Sequence, residues 1–216
     1  MRFTILAAEW NAKLVALAKV MNSKVALPIY STFLLELKDG VLRITASDMD
    51  CSRCSTLPVM DMDRANEHNG SLCVTASFLL DSLKNLGDQP VTFEADEENL
   101  SVVIRYNNGQ FDMVGFPAKD YALPGTMGKS VQVTIEASVL NDSIGKSLYA
   151  VGNDDLRPIF SGIYFTKKGD ELQCATTNGS MLVRNTYKVE NDGQEYSFLL
   201  HSRAAKIVRS MTSKSD

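Results

Sequence analysis

Two cysteines in this sequence stand close enough together to share a metal ion or a disulfide bond. Cys51 and Cys54 are separated by two residues, and two thiolates at that spacing can bind zinc or form a redox-active pair. A closed zinc site needs four ligands, but the other two cysteines are isolated and the chain has only two histidines. The sequence therefore disfavours a metal site, and we predict none.

Several carboxylates occur in close pairs, which could bind magnesium or divide the roles of general acid and general base. Short acidic runs also occur in turns, where the side chains accept hydrogen bonds from nearby backbone amides. We favour turns, and we expect Asp155 to pair with Arg157 or to cap local amides. The pairs are Asp48 and Asp50, Asp61 and Asp63, and Asp154 and Asp155.

The motifs of common enzyme classes are missing from the sequence. It contains no glycine-rich phosphate loop ending in Lys-Ser or Lys-Thr, no His-Glu-x-x-His zinc helix and no Gly-x-Ser-x-Gly nucleophile turn. Two histidines offer little material for a nucleophile and base relay. We therefore predict a protein without catalytic residues and without a cofactor.

Length and composition are those of an ordinary globular protein. The chain has 216 residues, of which 44% are hydrophobic and 22% charged, enough for one or two domains with a packed core. Its net charge of −4 means that a nucleic-acid-binding role would require charge sorted by position. Sparse cysteines, the lack of a signal peptide and the lack of an apolar run of membrane-spanning length favour a cytoplasmic protein.

The chain repeats itself when it is shifted by 130 positions without a gap. Apolar residues at helical spacing keep the same register, since Trp10 and Leu14 fall on Leu140 and Ile144. Each copy therefore predicts a strand, an amphipathic helix and then a group of strands. The matched segments are Phe3–Ile5 with Val133–Ile135, Pro28–Ser31 with Pro158–Ser161, and Leu42–Asp48 with Leu172–Asn178.

The same order of elements recurs within the first copy, where a second helix is predicted near Ser77–Leu86. One domain then consists of two β-α-β-β-β units, an α+β fold. We predict a first domain at 1–118, a linker rich in turn residues at 119–130, and a second domain at 131–216. The second domain lacks counterparts of the strands predicted at 91–115, so we expect it to be truncated.

Four motifs, in this order and with this repeat, resemble the bacterial sliding clamps, the beta subunits of DNA polymerase III. The resemblance runs the whole length and implies the DNA-clamp fold, with helices on the DNA side and sheets outside. It also implies three domains per subunit, two subunits in a ring around duplex DNA, and a third domain absent from this chain. The motifs are Met1–Ile5, Leu27–Ile29, Ala46–Asp50 and Asp154–Pro158 leading to Ser161–Ile163.

Charge is sorted as such a ring would require. The predicted helices and their ends carry nine cations against five anions, which leaves 13 cations against 21 anions elsewhere. The resemblance implies that Lys24 and Arg203 touch DNA, and Lys206 follows on the same helix. An alternative is that surface helices simply carry lysine. Phosphate contacts of this kind would hold duplex DNA without sequence preference.

The resemblance also implies a hydrophobic pocket on the second domain for short peptides of DNA polymerase III alpha, the clamp loader and other partners. It maps to Phe160, Thr177, Gly179, Ser180, Met181 and Leu182. From the residues alone, we favour Phe160 and Leu182 as core side chains. Phe111 and Met113 match positions that help to close the homodimer.

The function implied is that of a processivity factor of the replicative polymerase, without an active site of its own. Two alternatives remain open at this stage. One is a cytosolic enzyme whose active site lies in the carboxylate-rich loops, and the other is a protein-interaction scaffold that does not touch DNA.

Overall fold

The computed structural model describes residues 1–21, 27–48, 51–60, 69–123, 132–153 and 156–212. The chain forms two compact units, Met1–Met127 and Gly128–Asp216. The predicted linker begins inside the first of these units. We describe each unit by itself.

The first unit contains two successive sets of β-α-β-β-β elements, as the sequence predicts. The first set is β1 (Arg2–Leu6), α1 (Ala7–Ala18), β2 (Thr32–Lys38), β3 (Val41–Ser47) and β4 (Ser52–Pro58). The second set is β5 (Gly70–Thr75), α2 (Ala76–Leu83), β6 (Pro90–Asp96), β7 (Ser101–Tyr106) and β8 (Gly109–Val114), followed by the short strand β9 (Phe116–Pro117).

The two sets exchange their first strands. β1 pairs antiparallel with β6 of the second set, so that Phe3 lies opposite Phe93. β5 pairs antiparallel with β2 of the first set, so that Leu34 lies opposite Cys73. The resulting sheets have the orders β1-β6-β7-β8 and β4-β3-β2-β5-β9, and each therefore contains residues from both sets.

One core fills the space between these sheets and the two helices. Helix α1 buries Trp10, Leu14 and Leu17, which recur at the three- and four-residue spacing of one helix face. Trp10 meets the rings of Phe3 and Phe93 edge-on, with centroids 5.4 and 5.8 Å away. Each large apolar side chain buried in this way contributes roughly 1.5–3 kcal/mol.

Residues 116–123 lie across the outer edge of β5, and we call them the covering segment. Phe116 and Pro117 pair with Cys73 and Leu72, and a single 3-10 turn follows at Ala118–Asp120. Tyr121 is then buried in a small cluster with Tyr30, Leu34 and Cys73. The turn-rich composition predicted a linker from residue 119, but these tertiary contacts tie residues 119–123 to the first unit.

The second unit repeats the element order of the first, at the predicted offset of 130 as far as β12 and at an offset of 126 for β13 and α4. It contains α3 (Ala137–Ser147), β10 (Gly162–Lys168), β11 (Glu171–Thr177), β12 (Leu182–Lys188), β13 (Tyr196–His201) and α4 (Ser202–Thr212). The 3-10 turn at Pro158–Ser161 matches the turn at Pro28–Ser31. The sheet order β12-β11-β10-β13 corresponds to β4-β3-β2-β5.

The prediction that the second copy begins with a strand is wrong for residues 132–136. Residues 132–136, which include the counterparts of Thr4 and Ile5, have no strand assignment. In the first unit β1 obtains its backbone hydrogen bonds from β6. No described residue of the second unit pairs with this segment, so it lacks the ladder partner that β6 provides for β1.

No helix in the described part of the chain is long and apolar enough to cross a membrane.

Candidate functional site

An apolar groove of about 350 Å³ lies on the second unit, at the end of the sheet where β11 meets β12. Its floor is the outward face of β10, β11 and β13, and its wall comes from the turn at Pro158–Ser161. Three of the six predicted pocket residues, Phe160, Thr177 and Leu182, line it. Leu182 is 73% exposed, so this leucine is a surface residue rather than part of the core.

Backbone contacts fix the position of Phe160. The N–H of Gly152 donates a hydrogen bond to the carbonyl oxygen of Phe160 at 2.8 Å. A Cβ on Gly152 would lie 3.0 Å from the Cβ of Phe160, so a glycine allows this close approach. The guanidinium of Arg157 lies 5.0 Å from the ring centroid of Phe160, within cation–π range.

The other three predicted pocket residues form the turn between β11 and β12 and do not line the groove. Gly179 has φ +91°, a backbone conformation that favours glycine. The side chain of Asn178 accepts hydrogen bonds from the N–H groups of Ser180 and Met181 at 3.0 and 2.9 Å. Thr177 Oγ1 donates to the carbonyl oxygen of Met181 at 2.5 Å. This turn holds Leu182 at the rim of the groove.

Sequence reasoning missed the residues that form most of the groove floor. Tyr164 on β10 and Leu199 on β13 are direct cross-strand partners and are 46% and 44% exposed. Ile159, 69% exposed, stands beside them. One signal in the sequence could have indicated this floor. Tyr164 lies between Ile163 and Phe165, so both faces of the strand carry apolar side chains. That pattern is also typical of a strand buried on both faces.

The predicted DNA-binding cations lie partly within the described residues. Lys24 lies outside them, and Arg203 and Lys206 lie on α4, where Lys206 is exposed. Arg209, one turn further, lies across α3, since a Cβ on Gly145 would meet its guanidinium at 3.0 Å. Asn141 Nδ2 also donates to Thr212 Oγ1 at 3.2 Å. These contacts hold α3 and α4 side by side. Arg203, Lys206 and Arg209 are the cations that α4 carries.

A charged cluster on α3 adds to that helix pair. Lys146 Nζ lies 2.6 Å from Asp142 Oδ2, and the hydroxyl of Tyr187 donates to the same oxygen at 2.9 Å. The hydrogen bonds from Lys146 and Tyr187 lower the pKa of Asp142. The charge of Lys146 is thus partly neutralised, whereas Lys206 forms no ion pair within the described part of the chain.

Phe111 and Met113 alternate on β8, which is an edge strand among the described residues of its sheet. Both are half-buried against the core of the first unit. The ring of Phe111 stacks on that of Tyr106 with centroids 4.9 Å apart. Their outer surfaces and the free strand edge remain available to another chain.

Neither of the chemical patterns in the sequence forms a site in the described residues. Asp48 Oδ1 accepts a hydrogen bond from the N–H of Cys51 at 2.9 Å, which is the turn role that the sequence favours. Cys51 and Cys54 are not bonded to each other. The described part of the chain contains no cluster of three or more potential metal ligands. Asp50, Asp61, Asp63, Asp154 and Asp155 lie outside it.

Comparison with known proteins identifies the family. Residues 1–124 match the family model described as DNA polymerase III beta subunit, N-terminal domain. The chain belongs to the DNA polymerase III beta-subunit family. The resemblance drawn from the sequence motifs is therefore confirmed.

Curated relatives and solved structures agree with this assignment. The chain is 22% identical over 219 residues to the beta sliding clamp of Staphylococcus epidermidis, covering 100% of this chain and 58% of that protein. It is 25% identical over 193 residues to the Bacillus subtilis clamp, covering 88% and 51%. The chain thus spans little more than half the length of these relatives.

The fold is that of sliding clamps. A Pseudomonas aeruginosa sliding clamp bound to griselimycin superposes with a TM-score of 0.89 at 20% identity, covering 100% of this chain and 57% of that one. The Bacillus subtilis clamp structure gives a TM-score of 0.87 at 21% identity, covering 98% and 56%. The predicted α+β clamp fold is confirmed.

Proposed function

We propose that this chain is part of a processivity clamp, a ring that encircles duplex DNA and keeps the replicative polymerase on its template. The observation that carries the proposal is the family match over residues 1–124, joined to a clamp fold over the whole chain. The proposed subunit is a non-catalytic, cytoplasmic protein. Because the chain spans 58% of the Staphylococcus epidermidis relative, ring closure is proposed for the full-length homodimer.

The proposed DNA surface consists of the helices, with Lys24, Arg203 and Lys206 as its cations and the sheets facing away. Contacts from these side chains to phosphates would be independent of sequence, because phosphates carry no base information. A clamp needs only weak contacts of this kind, since a closed ring cannot leave circular DNA by dissociation. The exposure of Lys206 supports this assignment.

The proposed partner site is the apolar groove of the second unit. Large exposed apolar side chains concentrated in one groove are unfavourable in water unless a partner covers them. Peptide segments of DNA polymerase III alpha and of the clamp loader would place bulky side chains against Phe160 and Leu182. The edge strand β8, with Phe111 and Met113, is proposed as part of the dimer interface.

Retention on DNA of different topology tests the proposal. The full-length protein is loaded by its clamp loader onto a nicked circular duplex, and the complex is separated by gel filtration. We expect retention on the circle and rapid loss once a restriction enzyme linearises it. Equal retention on both forms would contradict a ring and would favour an ordinary DNA-binding protein.

A further inference from the structure

The covering segment fills an apolar notch on the first unit. The notch is formed by Tyr30, Leu34 and Cys73, and Tyr121 of the segment completes this cluster. All four side chains are buried, with exposures of 6% or less. The hydroxyl of Tyr30 also donates a hydrogen bond to the carbonyl oxygen of Ala122 at 3.1 Å. The segment is therefore bound to the notch much as a ligand is bound to a site.

Two kinds of contact hold the segment in place. Residues 116–117 add to the outer edge of β5 as a short antiparallel strand. A Cβ on Gly115 would lie 2.9 Å from the carbonyl oxygen of Cys73, so the glycine lets the segment approach the strand. The ring of Tyr121 then meets the ring of Tyr30 edge-on, with centroids 5.8 Å apart. Main-chain pairing is thus combined with one aromatic ring in the notch.

The notch is separate from the main core of the first unit. That core is built around side chains such as Trp10 and Phe93, and among the described residues it includes none from 116–123. The strand pairing of the segment spans two residues, and Pro117 has no N–H to donate. Segments with few buried contacts open locally while the rest of a domain stays folded. Release of the covering segment therefore leaves the main core in place.

Release of the segment uncovers an apolar surface beside a strand edge. Leu34 and Cys73 face each other across β2 and β5, and β9 is the described strand that pairs with the outer edge of β5. Adding a strand to a sheet edge, with a pocket for a side chain, is a common mode of peptide recognition. The segment shows which peptide fits, since its aromatic residue, Tyr121, follows the paired Phe116 by five positions.

We propose that the covering segment is a releasable strap over a latent peptide site of the first unit. When the segment is displaced, an extended peptide adds to the outer edge of β5 and places an aromatic side chain against Tyr30, Leu34 and Cys73. In the parent chain the linked segment blocks this site, because its effective concentration at the notch far exceeds that of a free peptide. The inference goes beyond the proposed function and does not depend on ring closure.

The covering segment supplies the probe for this proposal. A fluorescently labelled octapeptide, Phe-Pro-Ala-Lys-Asp-Tyr-Ala-Leu, repeats residues 116–123 and is titrated into the 216-residue chain and its Tyr121→Ala variant. Anisotropy should show at least tenfold tighter binding to the variant, because its own segment lacks the ring that fills the notch. An octapeptide with Ala in place of Tyr should bind the variant at least tenfold more weakly. Tyr149→Ala is the matched control and should bind like the parent, since Tyr149 is 67% exposed and lies on the second unit.

Protection of a thiol locates the bound peptide. In Tyr121→Ala the thiol of Cys73 should become accessible to a thiol reagent, and saturating octapeptide should slow its modification at least fivefold. Mass spectrometry of the digested protein distinguishes Cys73 from the other three cysteines. Fluorescence of Trp10, which is buried in the main core, reports whether the first unit of the variant is folded.

Three results would overturn the proposal. The first is an octapeptide affinity for Tyr121→Ala that is no higher than for the parent. The second is tighter binding that leaves Cys73 equally reactive, because the peptide would then occupy another surface. The third is loss of the buried Trp10 signal in the variant, because the segment would then be required for the fold. Failure of the proposed function is read separately, from the retention of the full-length protein on circular DNA.

Discussion

Arg53 on β4 reaches the end of helix α1, where its Nη1 donates a hydrogen bond to the carbonyl oxygen of Ala16 at 2.8 Å. Helix α1 ends at Ala18, so the carbonyl of Ala16 is one of the last four, which a helix leaves without intrahelical partners. A cation at this end also interacts favourably with the helix dipole. The bond ties the helix to an edge strand.

Replacing Arg53 by Met should therefore lower the free energy of unfolding of the first unit by about 1–2 kcal/mol. Urea unfolding can be followed through the fluorescence of Trp10, the only tryptophan in the chain. Arg43→Met is the matched control, because Arg43 is half-exposed and lies 3.8 Å from Glu36. Such surface pairs contribute little, so the control should change stability by less than about 0.5 kcal/mol. Equal effects of the two variants would show that the bond to Ala16 is unimportant.

Replacing Tyr121 by Ala should expose the thiol of Cys73. Burial raises the pKa of this thiol to about 12, and Tyr121 is one of the side chains that bury it. In the parent chain, a thiol reagent at pH 8 should modify Cys51 and Cys54 rapidly and the two buried cysteines slowly. The variant should show a third rapid thiol, and adding Cys73→Ser should remove it. A persistently slow third thiol would mean that the covering segment stays in place without its tyrosine.

Replacing Leu182 by Ala should weaken partner binding and leave stability nearly unchanged. The side chain is 73% exposed, so its loss should cost less than about 0.5 kcal/mol of folding free energy. A peptide side chain packed on it would lose roughly 1–2 kcal/mol, or about five- to thirtyfold in affinity. Fluorescence anisotropy with a labelled polymerase alpha-subunit peptide measures the change. Met211→Ala serves as the control, because Met211 is exposed on α4 and does not line the groove. Equal peptide affinity of the parent and of Leu182→Ala would show that the groove is not the partner site.

Reversing the charge of Lys206 should weaken DNA binding by the full-length clamp in a salt-dependent manner. Each phosphate contact that is lost should reduce the slope of log affinity against log salt by about 0.9. Binding of the protein to a short duplex at several salt concentrations gives this slope. Lys168→Glu, an exposed change on β10, should leave the slope unchanged if DNA meets the helices. The opposite ranking of the two variants would place DNA on the sheet side.

Acid should destabilise the second unit through Asp192. Lys167 is 3% exposed and forms an ion pair with Asp192, and the hydrogen bond from Lys167 lowers the pKa of this carboxyl below its usual value of 3.8. The pair therefore stabilises the fold above pH 3.8, and this contribution is lost as pH falls through the lower folded pKa.

NMR-detected thermal unfolding between pH 2 and pH 6 measures this effect. Asp192→Asn should destabilise the unit at pH 6 and flatten its acid dependence, because it leaves the Lys167 charge buried without its partner. Lys167→Met with Asp192→Asn should recover part of the loss at pH 6. An acid dependence that is unchanged in Asp192→Asn would assign it to other carboxylates.

The sequence predicts the helices and strands well, because the same pattern of residues indicates the same element in both copies of the repeat. Trp10 and Leu14 on α1, and Ile144 on α3, face their cores as the matched stripes indicate. Each strand of β10–β12 begins 130 residues after its counterpart. A single strand or helix has a weak local signal, but the same signal in two copies at one offset is hard to obtain by chance.

The features that the sequence does not reveal depend on contacts between distant residues. Tyr164 and Leu199 become a groove floor only because β13 pairs with β10, and local alternation does not contain that pairing. Tyr121 stands among turn residues, and its burial depends on Tyr30, which is 91 positions earlier. Conversely, the repeat predicted a strand near residue 134, although a strand also requires a neighbour with which to pair.

The exchange of strands within the first unit constrains the order in which this protein can fold during synthesis. Arg2 pairs with Glu94, so β1 leaves the ribosome long before its ladder partner has been translated. Until β6 emerges, the apolar segment that carries Phe3 and Ile5 has no strand edge with which to pair. It is therefore a segment that nascent-chain chaperones could bind. Stalling translation before residue 90 would therefore yield a chain whose N-terminus is unprotected, however well the intervening helix has formed.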